Sequence, residues 1–152
     1  LKVKGFEKQP ESSIVHVVKS RLERSSIPQF LLNYTKSNPL SPFDPSLMAD
    51  LRATSYMRQN PGLCSIHYTL MQTQVPIISR EYILGQKYKL EGQLLALAYG
   101  LWDAHLNNFK RLTLLMESDD LSRLIPQNSH RTIDPKIRSL RKLLAELSGG
   151  FD

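Results

Sequence analysis

The chain has 152 residues, 41% of them hydrophobic and 22% charged, and a net charge of +6. With a mean hydropathy of −0.30, this is the balance of one globular domain, and it excludes collagen, wholesale disorder and an array of membrane spans. The single cysteine, Cys64, excludes an internal disulfide and cannot build a zinc cage alone, so the expected setting is an intracellular, reducing compartment such as cytoplasm or nucleus.

Residues 1–11 read as a lead-in segment with a short strand from Leu1 to Phe6, and residues 12–152 as a single helical domain. Ser12 or Ser13 can cap a helix with Ile14, Val17, Val18 and Leu22 on its apolar face and Lys19, Arg21 and Arg24 facing out. Pro28 can open the next helix, with Phe30, Leu31 and Tyr34 on its apolar side. Three prolines make residues 37–46 a loop. Asp44-Pro45 then reads as a cap and first turn, predicting a helix through Leu47, Met48, Leu51 and Tyr56 that stops at Asn60-Pro61-Gly62.

The period changes at Cys64. Cys64, Ile66, Tyr68 and Leu70 alternate with more polar residues, Gln72 to Gln74 can turn the chain, and Val75 to Ile78 can return. Pro76 would hold that return at an edge. From Ser79 the pattern reads as helical again, with a break near Gly85. The apolar set Leu90, Leu94, Leu97, Ala98, Leu101, Trp102, His105, Phe109, Leu112 and Met116 predicts a long central helix over about 90–116, apolar over much of its girth. Ser118-Asp119-Asp120 can cap a short helix from Leu121 to Ile125. Asp134-Pro135 repeats the start signal before a last helix striped by Ile137, Leu140, Leu143, Leu144 and Leu147. The expected fold is mostly α: a compact irregular helical bundle around the central helix, admitting a small β-hairpin near 63–78. In its leucine spacing, Phe109 to Leu124 resembles one helical segment of rhabdovirus phosphoprotein C-terminal domains; no function is carried over from it.

Chemistry is harder to find. There is no phosphate-cradling glycine loop, no nucleophile elbow and no His-Glu-x-x-His. Among His16, His67, His105 and His130, no two stand at helical chelating spacing. His105 falls in the central apolar stripe, where it reads first as a core histidine and second as an imidazole in an internal pocket. Cys64 reads as a small buried hydrophobe rather than a nucleophile. Glu117, Asp119 and Asp120 could hold a cation but fit a helix N-terminus better. No catalytic residue, cofactor or metal is therefore assigned.

Binding features are better represented. The basic excess lies toward the two ends, in Lys19, Arg21 and Arg24 and in Lys136, Arg138, Arg141 and Lys142, and Phe43 in the proline loop offers an exposed anchor. These residues predict a non-enzymatic, protein-binding or scaffold domain of a larger protein or complex, whose partner is another protein with an acidic surface. One alternative is nucleic acid held by the basic terminal helices. The other is a small enzyme built on His105.

Overall fold

Period-two alternation, rather than helical spacing, governs the middle of the chain. A computed structural model describes residues 2–3, 27–115, 135–149 and 151. Its elements are β1 (Lys2–Val3), α1 (Gln29–Leu32), β2 (Met48–Met57), β3 (Gly62–Gln72), β4 (Val75–Lys87), α2 (Lys89–Leu106), β5 (Arg111–Leu115) and α3 (Pro135–Ser148). The strands form a five-stranded sheet in the order β1-β5-β2-β3-β4. β2, β3 and β4 are an antiparallel meander, while β5 runs parallel to β2 and β1 parallel to β5. The expected helical bundle is thus corrected to a mixed α/β fold.

Each departure has a local cause. Asp44 does not cap a helix: its Oδ1 accepts the Ser46 N–H at 2.9 Å and the Ser46 hydroxyl at 2.7 Å, closing an Asx turn. The chain then extends into β2, where Ala49 and Leu51 are buried and Arg52, Thr54 and Tyr56 exposed. The alternation at Cys64, Ile66, Tyr68 and Leu70 is a strand, with all four side chains buried. Thr73 and Gln74 make the turn with φ of 49° and 64°, the pairing that suits a two-residue hairpin loop. The return strand continues to Lys87, far beyond Ile78, and it is an edge strand, as Pro76 requires. Gly85 breaks no helix. Its φ of +89° absorbs a register shift where Cys64 faces Gly85 and Ser65 faces Ile83.

The central helix is shorter than expected. It ends at Leu106, and Asn108 adopts the left-handed region at φ 65°, a conformation asparagine tolerates. Leu112 and Leu114 belong to β5, alternating with more exposed neighbours, so part of the segment resembling a phosphoprotein helix is a strand. α2 lies between the sheet and α3, which explains why Leu94 to Ala104 is buried on all sides. The helix sits close because it carries glycine at both contact points. A Cβ on Gly92 would come within 2.7 Å of Cys64 Sγ, and one on Gly100 within 2.8 Å of Leu51 Cδ1. α3 buries Ile137, Leu140, Leu143, Leu144 and Leu147, the stripe its spacing predicts. The helix expected near residues 12–24 and the one over 121–125 lie outside the described residues.

Candidate functional site

α2 begins where the β2–β3 loop, the end of β4 and the start of α3 converge, and an open cleft of about 660 Å³ lies there. Asn60 and Pro61 come from the loop, Lys87 from the end of β4, Tyr88, Lys89 and Glu91 from the entry to α2, and Lys136 from α3. Hydrogen bonds fix this corner. Asn60 Oδ1 accepts the Lys89 N–H at 2.9 Å, and Glu91 Oε1 accepts the Tyr88 N–H at 3.4 Å. Both side-chain oxygens thereby occupy N–H groups that a helix start leaves without intrahelical partners. Glu91 is buried, whereas Tyr88 is 60% exposed. The cleft therefore joins three lysines, an accessible aromatic ring and one carboxylate sheltered from water.

A second buried carboxylate has a different task. Asp103, about 18 Å further along α2 at 1.5 Å per residue, accepts the Ser37 N–H at 3.0 Å and the Ser37 hydroxyl at 2.5 Å. It also accepts the Tyr68 hydroxyl and, at 2.9 Å, the Asn107 amide. Arg80 adds a bond to the Thr35 carbonyl at 2.8 Å and lies over the Tyr34 ring at 4.4 Å. This network ties residues 34–37 to the sheet and α2, and its carboxylate is fully hydrogen-bonded.

The residues expected to bind a partner are scattered. Lys136 reaches the cleft. Arg138 and Lys142 are exposed on α3 and Arg141 is half-buried; Lys142 lines a separate hollow with Ile27, Phe30 and Leu143. Phe43 is no free anchor: it is half-buried and stacks on Phe109 with centroids 4.8 Å apart. Lys19, Arg21 and Arg24 lie outside the described residues, as do Glu117, Asp119 and Asp120. The His105 ring stacks on Trp102 at 5.4 Å and meets Phe151 edge-on at 6.4 Å, the packing of a core histidine rather than the alternative of an internal catalytic pocket. Cys64 is buried beside Gly92, and burial pushes its thiol up, which keeps it protonated and unreactive.

Asn60, Lys87, Tyr88, Lys89 and Glu91 escaped sequence reasoning. Lys87-Tyr88-Lys89 interleaves cations with an aromatic ring, a pattern associated with nucleic-acid contact, but it fell between the break expected near Gly85 and the helix expected from about Leu90. Glu91 was legible as the one acid within the apolar run from Leu90 to Leu101. Among the described residues no three His, Cys, Asp or Glu side chains converge, so these do not by themselves make a metal centre.

No protein-family model and no curated protein matches this chain. Solved structures do. Ribonuclease H1 from the halophilic archaeon Halobacterium salinarum superposes with a TM-score of 0.58 at 22% identity, over 70% of this chain and 80% of that one. The N-terminal ribonuclease H domain of a Mycobacterium tuberculosis protein gives 0.61 at 16%, over 70% and 77%. This chain has the ribonuclease H fold. LC11 ribonuclease H1, isolated from compost by a metagenomic approach and solved in complex with an RNA/DNA hybrid, gives 0.53 at 14%, over 65% and 75%. The likeness is one of fold, and it overturns the expectation of a non-enzymatic helical scaffold, because the neighbours in fold are nucleic-acid-processing enzymes. No described helix is long and apolar enough to cross a membrane.

Proposed function

We propose that this ribonuclease H-like domain binds an RNA/DNA hybrid in the cleft at the start of α2 and hydrolyses its RNA strand. The observation that carries the proposal is the placement of Lys87, Lys89 and Lys136 around the buried carboxylate of Glu91, in one cleft. Phosphates dominate nucleic-acid affinity and positioning, and lysines neutralise them with little sequence preference. Tyr88 offers an exposed ring beside them. Hydrolysis of a phosphodiester requires a water aligned opposite the leaving oxygen and a group to take its proton. Glu91 is the described acid of the cleft, and a carboxylate fixed at the wall of a phosphate site can orient that water and accept its proton. The lysines offset the repulsion between this carboxylate and the phosphates it must approach.

Glu91→Gln keeps the shape and the bond to the Tyr88 N–H while removing the charge. On a labelled RNA/DNA hybrid, the variant is expected to bind as the parent does and to cleave at least about 100-fold more slowly. Equal cleavage by parent and variant, or no cleavage of hybrid by the parent under any ionic condition, contradicts the proposal.

A further inference from the structure

The sheet face turned away from α2 bears an apolar patch at the same end of the molecule. Tyr56, Leu63 and Ile83 are 66%, 68% and 68% exposed. Tyr56, Ser65 and Ile83 stand in one row across β2, β3 and β4, and with Arg58 and Leu63 they line an open hollow of about 550 Å³. Isolated exposed apolar side chains need no explanation, but a contiguous group on a sheet face marks a binding surface.

Two observations choose the occupant. The first is continuity. Arg58 and Gln59 line this hollow, while the next two residues, Asn60 and Pro61, line the cleft beside Glu91. One four-residue loop is thus the ridge between them. On the neighbouring strands, Leu63 of the hollow pairs with Gln86 of the cleft. The second is charge. Arg58, Lys87 and Lys89 border the two depressions, and Glu91 is the acidic residue among those lining them. An acidic polymer is attracted there, and an acidic partner with flat, apolar faces fits a tyrosine beside an arginine.

We infer that this face is a platform for single-stranded nucleic acid continuing from the cleft. An unpaired stretch leaving the hybrid turns around the β2–β3 loop. Tyr56 stacks on one base, Leu63 and Ile83 support its neighbour, and Arg58 holds the phosphate between them. The preferred substrate is therefore a hybrid with a single-stranded extension rather than a blunt one. This inference rests on the hybrid-binding reading above.

The test is fluorescence anisotropy with a blunt RNA/DNA hybrid, the same hybrid extended by about six unpaired nucleotides at each end in turn, and the single strand alone. The extension length matches the usual span of a stacking surface. In the parent protein one extension should tighten binding by about tenfold, within the range stacking of a base provides. Tyr56→Ala should abolish that gain and leave blunt-hybrid affinity unchanged, and Arg58→Gln should reduce the gain of the extended over the blunt hybrid measured at the same salt. Both positions are exposed, and circular dichroism verifies that the variants remain folded. Equal affinity for blunt and extended hybrids overturns the inference, and so does a gain that survives both substitutions. It is also overturned if Tyr56→Ala dissolves a self-associated species in sedimentation, which would assign the patch to a second copy of this chain. If blunt hybrid does not bind but single strand binds in a Tyr56-dependent way, the cleft reading fails while the platform stands.

Discussion

Asp103 on α2 and Tyr68 on β3 tie the helix to the sheet through one hydroxyl–carboxylate bond in a fully buried setting. Such a bond is worth most through what its loss leaves behind, a buried acceptor short of a partner. Tyr68→Phe should cost about 1–3 kcal/mol in a urea melt near neutral pH. The same tyrosine ties stability to alkaline pH. Burial, reinforced by Asp103 and Tyr34, holds the Tyr68 phenol far above its ordinary value, and Tyr99 is pushed up to about 12 by burial and then by Tyr82 and Tyr34. The folded state thus keeps protons that the unfolded chain releases near pH 10. The resulting stability is complete below about pH 10 and is lost as pH rises beyond it toward the folded-state values. Melts between about pH 9 and 11 should show a falling midpoint in the parent and a shallower fall in Tyr68→Phe. Parallel slopes would contradict the assignment.

At the scale of elements, the packing of α2 on the sheet explains both what was legible and what was not. β3 was legible as one strand of a small hairpin because Cys64, Ile66, Tyr68 and Leu70 alternate with more polar residues. β2 was not, because Leu47, Met48 and Leu51 imitate helical spacing just after Asp44-Pro45. The Asp44-Pro45-Ser46 signal serves equally for a helix cap or an Asx turn, and only the sheet decides between them. α2 and β5 ran together because Phe109, Leu112 and Met116 continue the helical spacing; the break rests on Asn107 and Asn108. Gly92 and Gly100 count against a helix by propensity, yet they set its distance from Cys64 and Leu51. Gly100→Val should therefore destabilise by about 1–3 kcal/mol, despite the better helix propensity of valine over glycine, because the added atoms must displace Leu51 from a filled core. Thermal or urea melts measure it, and a stabilised variant would show that α2 has room to shift.

For the whole molecule, the candidate site is assembled from segments far apart in sequence: loop residues 60 and 61, a strand end at 87, a helix start at 88–91 and a second helix at 136. Charge composition pointed toward an acidic partner but placed its binding residues on the terminal helices, since no property of Lys87 or Asn60 taken alone announces a cleft. Among the described residues of that expectation, Lys136 is the one that lines the candidate cleft. The central claim is that nucleic acid is held in this cleft by phosphate neutralisation. Its most direct test is the salt dependence of hybrid binding by the parent and by the Lys87→Ala/Lys89→Ala double variant. Every phosphate that a removed lysine no longer neutralises should lower the magnitude of the log–log slope by about 1. The expected result is a fall of about 2 with the fold intact, and an unchanged slope would place the nucleic acid elsewhere on the protein.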